Sequence, residues 1–298
     1  MKRITAIVLS FFIIFSLSIS VSAAENNANL LGDKVVFELG DWAYEKVNVY
    51  GYEIDQYLGS ETEVNLPWSF AKEYVTSIGD YAFKDKSAIT NVNTTSVIES
   101  IGSYAFDGCT SLQKVTLYDS LTSLGMGCFY GDSSLNKINV LDTKITSVSA
   151  YCFAECGITH MALPDTCESI GNYAFYNCSN LRQIQIPDSV TSIADTAFTG
   201  CDNLLIVCNP GSYAAQYAEA NGLNYATSDS FVLGDADGNN KVTIRDVTYI
   251  QLYLVGLQIL DDTAFKRADV NCDGNVNIRD VTYIQMYRAE LIDSFYNI

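Results

Sequence analysis

The sequence contains very few histidines, tryptophans, prolines and cationic side chains. Among 298 residues there are one histidine, two tryptophans and four prolines, and 17 Lys and Arg stand against 35 Asp and Glu. The formal net charge is −18. Nucleic acids and anionic membranes repel so acidic a surface. We therefore expect no nucleic-acid partner and no charge-driven membrane binding.

The single histidine also limits catalysis. A Ser-His-Asp or Cys-His site would have to use His160, which no catalytic motif surrounds. The HExxH, GxSxG and phosphate-loop patterns are missing. Four aspartates recur after predicted strands and are interpreted as turn residues rather than paired glycosidase carboxylates, namely Asp119, Asp142, Asp165 and Asp188. The sequence therefore predicts no catalytic residue.

Long apolar runs are missing except at the N-terminus. Lys2 and Arg3 precede an apolar stretch that ends in small residues at 21–24, the pattern of a secretory signal peptide at residues 1–24. An uncleaved membrane anchor is the alternative, because the run approaches spanning length. We favour cleavage, and we expect a secreted, soluble protein without membrane insertion after signal cleavage.

Two near-copies of an acidic segment lie near the C-terminus, 34 residues apart. Each places oxygen-bearing side chains at loop positions 1, 3, 5, 9 and 12 and a backbone carbonyl at position 7, the spacing that binds calcium. The predicted ligands of two Ca²⁺ ions are Asp235, Asp237, Asn239, Lys241, Thr243 and Asp246 in loop one, and Asp269, Asn271, Asp273, Asn275, Asn277 and Asp280 in loop two. The alternative is that both segments are merely solvated turns. Two copies in register make this a poor explanation.

The loops depart from the EF-hand pattern in two ways. Position 12 is aspartate rather than glutamate, and we expect no incoming helix before either loop. Position 6 must turn through positive φ, which Gly274 and Asn240 tolerate better than most residues.

The duplicated segment resembles a type I dockerin over residues 232–298. The resemblance implies a small all-α module that binds cohesin modules of cellulosomal scaffolds in a calcium-dependent manner. It also implies a cohesin-binding face in each copy, so that either copy could bind after a half-turn. These faces are Ile244, Arg245, Gln251 and Leu252 in copy one, and Ile278, Arg279, Gln285 and Met286 in copy two.

The middle of the chain is a repeat of 22 to 24 residues. Its anchor phenylalanines are Phe83, Phe106, Phe129, Phe153, Phe175 and Phe198. A unit this short cannot bury its own apolar side chains, whereas stacked units share one core. The pattern predicts a solenoid in which each V-x-L segment adds a strand to a parallel sheet.

The repeated I-G-x-Y-A-F…C-x-x-L pattern resembles BspA-like leucine-rich repeats of secreted and cell-surface bacterial proteins. Residues 52–70 look like a degenerate first unit. The resemblance implies a leucine-rich-repeat solenoid with a parallel sheet, an irregular convex side and a helical cap from about Ser212 to Asn221. We assign the solenoid to residues 25–226 and a linker to 227–231.

Alternate residues of the predicted strands point outward along the sheet. Those that form a possible ligand face are Asn91, Asn93, Lys114, Thr116, Tyr118, Lys137, Asn139, His160, Gln183 and Gln185. This polar, amide-rich surface suits hydrogen bonding to a protein or glycan, and it equally suits a solvated sheet without a partner.

Nine cysteines in an exported chain would suggest disulfides. Most of them occupy apolar repeat positions, where free cysteine packs as a small hydrophobe. We expect mostly reduced thiols, although a Cys128–Cys152 bridge is sterically possible.

The sequence thus predicts a non-catalytic secreted or cell-surface protein that docks on a cellulosome-type scaffold. Its repeats would recognise an unknown protein or glycan in the context of polysaccharide breakdown. Two alternatives stay open: a degradative enzyme (a glycoside hydrolase or a peptidase-like protein), or a structural or inhibitory member of the complex.

Overall fold

The structure is a computed structural model that describes residues 28–31, 34–48, 51–227, 231–292 and 294–295. The predicted signal peptide lies outside these residues, as do positions 228–230 of the predicted linker. Within the described ranges, every helix is too short or too polar to cross a membrane.

An antiparallel meander opens the described chain, and sequence reasoning missed it. Its strands are β1 (Ala28–Leu31), β2 (Lys34–Leu39), β3 (Trp42–Asn48) and β4 (Gly51–Tyr57). The ring of Tyr57 stacks on Phe83 with 5.3 Å between centroids, and Trp42 packs against Tyr57. The meander therefore closes the first end of the repeat core with aromatic rings.

The V-x-L segments form two parallel sheets of four strands each. The first contains β5 (Glu63–Asn65), β8 (Asn91–Asn93), β10 (Lys114–Thr116) and β12 (Lys137–Ile138). The second contains β14 (His160–Ala162), β16 (Gln183–Gln185), β18 (Leu205–Cys208) and β19 (Asn224–Thr227). A 3-10 turn at Val140–Asp142 separates the two sheets. The predicted parallel sheet is confirmed, but it is in two pieces.

The opposite side of the solenoid is more regular than predicted. There β4 pairs in parallel with β7 (Glu73–Ile78), and the ladder continues through β9 (Ser100–Ile101) and β11 (Ser123–Leu124). A second ladder joins β13 (Ser147–Val148), β15 (Ser169–Ile170) and β17 (Ser192–Ile193), while β6 (Ser69–Phe70) pairs antiparallel with β7. The recurring Ser-apolar pair of each repeat forms these short strands.

The six anchor phenylalanines stack in one column through the core. Neighbouring ring centroids lie 4.8 to 5.6 Å apart, and the rings are close to parallel. Close stacking also needs small residues: a Cβ added to Gly125 would lie 2.4 Å from the carbonyl carbon of Gly102 in the preceding repeat. The repeat pattern is therefore a packing requirement at both the anchor and the glycine positions.

All nine cysteines carry free, buried thiols. Four of them lie three residues after an anchor phenylalanine and donate to the carbonyl of the preceding anchor. The Sγ–O distances are 3.1 Å from Cys109 to Phe83, 2.9 Å from Cys156 to Phe129, 2.9 Å from Cys178 to Phe153 and 3.1 Å from Cys201 to Phe175. Cys128 and Cys152 are neighbours, with 3.3 Å between their sulfurs. The thiols thus act as hydrogen-bond donors between repeats.

One repeat breaks this thiol column, because Asp132 stands where its neighbours have cysteine. Its side chain is fully buried, and within the described part of the chain neither carboxyl oxygen has a hydrogen-bond partner. Burial raises the pKa of Asp132 well above its ordinary value. The nearby backbone amide of Cys109 opposes this rise in part, although it does not meet hydrogen-bond geometry.

Replacing Asp132 with cysteine is expected to stabilise the protein by about 1–3 kcal/mol near neutral pH, because a buried unpaired polar group is removed. The folded-state pKa of Asp132 lies above the unfolded value, so the wild type loses stability as pH rises through that window. The advantage of Asp132→Cys should therefore grow as pH rises above the ordinary pKa of an aspartate. Thermal unfolding of the wild type and the variant at a series of pH values tests this prediction. Asp165→Ala, at an exposed position, is the control. A gain in stability that is independent of pH would contradict the assignment of Asp132 as a buried carboxyl group with a raised pKa.

The repeats end in a capping helix, α1 (Tyr213–Ala220), whose N-cap Ser212 accepts a hydrogen bond from the Ala215 amide at 3.2 Å. This confirms the predicted terminal helix. Strand β19 follows, and then the buried side chain of Phe231. Both end residues of the predicted linker are therefore parts of the fold, since Thr227 is the last residue of β19 and Phe231 is buried in the core.

The C-terminal part of the chain is helical. It contains α2 (Ile244–Leu254), α3 (Asp262–Ala268) and α4 (Ile278–Arg288). Helix α3 directly precedes loop two, so the expectation of no incoming helix is wrong for that loop. Asp261 caps α3 by accepting from the Ala264 amide at 2.7 Å. A second hydrophobic cluster unites these helices and also includes Leu205 and Val207 of β18.

Candidate functional site

Loop one folds around a buried aspartate. Asp235 accepts hydrogen bonds from the Asn239 amide at 3.0 Å and from the Asn240 amide at 2.8 Å. One carboxylate oxygen each of Asp235, Asp237 and Asp246 lies within 4.8 Å of the others. The loop therefore brings together three of the predicted calcium ligands.

Loop two repeats this arrangement. Asp269 accepts from the Asp273 amide at 3.1 Å and from the Gly274 amide at 2.8 Å. Asn240 and Gly274 have φ of 62° and 84°, which confirms the predicted positive φ at position 6. The same backbone wraps the first aspartate in both copies.

The last loop position also starts the following helix. Asp246 accepts from the Thr243 amide at 2.7 Å, and Asp280 accepts from the Asn277 amide at 2.8 Å. The side chains of Thr243 and Asn277 in turn accept from the amides of Arg245 and Arg279. These reciprocal capping boxes give the position-12 aspartate a second role at the start of each helix. Sequence reasoning treated positions 9 and 12 only as ligands.

The donor set fits a hard divalent cation. All predicted side-chain ligands offer oxygen, and Asp235, Asp246 and Asp280 are fully buried. Burial is the main cause of a raised pKa at Asp237, Asp269 and Asp280. The pKa of Asp269 rises to about 7. Calcium would supply the positive charge that keeps these clustered carboxylates ionised.

Calcium should therefore stabilise this module less in acid. Without the ion, the folded-state pKa of Asp269, about 7, lies above the ordinary 3.8, so the module loses stability as pH rises through this window. Calcium needs the ionised carboxylate, so its stabilisation should be small near pH 5 and largest above about pH 7.5. Thermal unfolding with calcium and with chelator measures the difference. A calcium effect equal at both pH values would contradict it.

The predicted cohesin-binding residues lie on exposed faces of α2 and α4. Ile244 is 64 % and Ile278 is 62 % exposed, which is unusual for isoleucine. Arg279, Gln251, Leu252 and Gln285 are also exposed, and Met286 is half-buried. The Arg245 guanidinium is exposed and lies 3.3 Å from the Asp237 carboxylate. The structure thus presents two similar faces, each containing apolar and cationic side chains.

The open sheet face, which we define as the outward side of β5, β8, β10 and β12, carries part of the predicted ligand face. Lys114, Tyr118 and Lys137 are exposed there. The amides of Asn91 and Asn93 donate to Glu63 at 3.2 Å and to Asn65 at 2.9 Å, and Thr116 donates to Asn93 at 3.1 Å. The amides form a ladder that orders the face.

Three other predicted face residues have different environments. Asn139 uses its amide to accept from the Leu117 backbone amide at 2.8 Å and to donate to the Leu117 carbonyl at 3.0 Å, where the sheet breaks. His160 and Gln183 are only 7 % and 3 % exposed, so they are not open to a ligand, whereas Gln185 is exposed. The sequence placed His160 and Gln183 on the outward side of the sheet but could not show which residues cover that side.

A polar cleft of about 470 Å³ runs along the edge of the sheets. Gln113, Asn136, Thr159 and Arg182, each the residue before a strand, line it together with Asp273 of loop two. The sequence does contain a polar residue at this position of these repeats. The interpretation of the ligand face considered only residues within the strands, so it left out the residue before each strand.

The repeat tyrosines form a row in which neighbouring rings contact one another. Tyr81 stacks on Tyr104 at 5.6 Å between centroids, and Tyr151 stacks on Tyr173 at 5.1 Å, while Tyr130 bridges Tyr104 and Tyr151 edge-on. Sugars bind ring faces, and in each stacked pair the neighbouring ring covers one face of each tyrosine. The row therefore contributes to packing between repeats.

A parallel-strand solenoid joined to a helical module with two acidic loops is the architecture of a leucine-rich-repeat region followed by a dockerin. Residues 76–205 match the BspA type leucine rich repeat region in six copies, and residues 233–287 match the dockerin type I domain. The chain thus combines these two domains, which are typical of secreted or cell-surface proteins. Type I dockerins bind calcium and cohesin modules.

Solved structures include similar repeat proteins. The leucine rich repeat protein of T. pallidum is 25 % identical, with a TM-score of 0.53, over 62 % of this chain and 95 % of that one. A leucine rich cell surface protein of Faecalibacterium prausnitzii is 24 % identical over 58 % of this chain and 54 % of that one, with a TM-score of 0.47. The match thus spans about half of the latter protein. None of the curated proteins matches this chain.

Proposed function

We propose that this chain is a secreted, non-catalytic component of a cellulosome-type complex. Its dockerin binds a cohesin module of a scaffold in the presence of two calcium ions. Its repeat region recognises a protein or glycan in the context of polysaccharide breakdown. The observation that carries the proposal is the pair of buried aspartate loops, each of which starts a helix with an exposed Ile-Arg pair.

The calcium loops and the binding faces are directly coupled. Asp246 and Asp280 are both predicted ligands and helix N3 residues, so each ion would fix the start of the helix that presents the face. The cohesin-binding pairs Ile244–Arg245 and Ile278–Arg279 lie in the first turn of these helices. Loss of calcium would therefore disorder the binding faces as well as the loops.

The ligand of the repeats would bind at the open sheet face and the adjoining cleft. Exposed Lys114 and Lys137 provide positive charge in an acidic protein, and the amide ladder provides donors and acceptors. Such a surface suits a hydroxyl-rich glycan or an acidic protein segment. The absence of a catalytic constellation among the sequence motifs favours recognition over hydrolysis.

Calorimetric titration of the full chain with a type I cohesin tests the docking role. In calcium we expect tight binding, and in chelator none. Replacing Asp235 and Asp269 together with asparagine should weaken binding more than about 100-fold, because two calcium sites lose a charged ligand. Lys241→Ala is the matched control, since position 7 supplies only its carbonyl. Unchanged binding by the double variant would overturn the proposal.

A further inference from the structure

The outward side chains of the sheet change character along the solenoid. In β8, β10 and β12 they are asparagine, lysine and threonine, and they are half-buried or exposed. In the second sheet they include Ala162, Leu205 and Val207, which are only 3 %, 7 % and 3 % exposed. A sheet face in water would not carry three buried apolar side chains on two strands of one small sheet, so this end of the face is built to be covered.

The C-terminal module covers it. Leu205 and Val207 belong to the same hydrophobic cluster as Phe231, Leu233 and Phe295 of that module. The cluster is separate from the solenoid core, which contains the inward residues of the same strands.

A buried polar contact crosses the same interface. Nε2 of His160, on β14, lies 3.1 Å from the Phe295 carbonyl oxygen, and Nδ1 lies 3.0 Å from the Thr159 hydroxyl. The single histidine of the chain is therefore enclosed between the two modules.

Both calcium loops border this interface. Gly234 directly precedes loop one, and a Cβ added to it would lie 2.7 Å from the Phe295 ring. A Cβ added to Gly274 of loop two would lie 3.0 Å from the guanidinium carbon of Arg182, which directly precedes β16. Loop one therefore packs against Phe295, which contacts the repeats, and loop two contacts the repeats directly at Arg182.

We propose that the dockerin is a calcium-held cap on the last repeat strands β14, β16 and β18. Calcium binding to the two loops fixes the surface that covers Leu205, Val207 and His160, and so it stabilises the end of the solenoid. The cap leaves both cohesin-binding faces exposed and confines ligand access on the repeats to the open sheet face. The dockerin is then a structural part of the repeat domain and is held at a fixed orientation to it.

The imidazole of His160 reports the cap directly, because it is the only histidine. Enclosure lowers the pKa of His160 from 6.5 to about 4. In NMR titrations of the full chain with calcium, its resonances should not shift between about pH 8 and about pH 6.5, the range in which calcium is expected to hold the loops. With chelator they should titrate near the ordinary value. A histidine that stays silent in chelator would overturn the calcium dependence of the cap.

Hydrogen exchange gives a second readout. Chelator should accelerate exchange of the amides in β16 and β18 by about ten-fold or more, and leave β8 and β10 unchanged. The Leu205→Glu/Val207→Glu variant should show the same pattern in calcium, because these side chains lie outside the solenoid core. Gln185→Glu, at an exposed position of β16, is the matched control. Equal exchange rates with calcium and chelator in the wild type would reject the proposal even if the double variant failed to fold.

Discussion

Replacing Ile244, Leu252, Ile278 and Met286 together with alanine is expected to weaken cohesin binding by about 100-fold or more. Central apolar anchors of an interface contribute about 2 kcal/mol each when truncated, and the quadruple variant removes both faces. Replacing only Ile244 and Leu252, or only Ile278 and Met286, should weaken binding about two-fold, because the other face still binds after a half-turn. Calorimetric titration of the full chain in calcium measures all three.

The controls for this series are Thr263→Ala and Lys266→Ala, at exposed positions of α3, a helix that carries neither predicted face. These variants should bind like the wild type. If one pair of substitutions alone abolished binding, only that copy would face the cohesin, and the dual mode implied by the duplication would be wrong.

Replacing Phe129 with alanine is expected to destabilise the repeat region by about 3–5 kcal/mol and to lower its melting temperature by about 10 °C. The ring is fully buried between Phe106 and Phe153, at 5.2 and 5.5 Å between centroids. Its loss would leave a cavity in the middle of the column, where neither neighbouring repeat can collapse without disturbing the next. Calorimetry of the full chain in calcium measures the loss.

Tyr118→Ala provides the control, because that ring is 40 % exposed at the sheet surface. It should lower stability by less than about 1 kcal/mol. A Phe129→Ala effect as small as this would mean that the phenylalanine column does not hold the repeats together.

The sequence predicted the repeat and the duplicated loops because both are periodic. The anchor phenylalanines recur in register, and each must stack on the next, so their spacing alone defines the solenoid. The loops were predicted for a similar reason: Asp235 and Asp269 each need amides four and five residues later. Local geometry of this kind can be read directly from residue spacing.

Features that depend on contacts between distant segments were missed. The N-terminal meander of β1 to β4 has no repeat pattern, and α3 is too short for a periodic signal. Alternation placed His160 and Gln183 on the outward side of the sheet, but only the fold shows that Phe295, from the end of the chain, covers the histidine. Asp132 had a sequence signal, since it interrupts a column of cysteines, and the structure supplied its meaning.

The measurement that tests the central claim most directly is capture by the full chain from an extracellular extract of its source organism. We expect a cohesin-bearing protein to be captured in calcium and released by chelator, and the Asp235→Asn/Asp269→Asn variant to capture none. Capture that is indifferent to calcium, or capture of no cohesin-bearing protein by the wild type, would contradict calcium-dependent docking as the role of this chain.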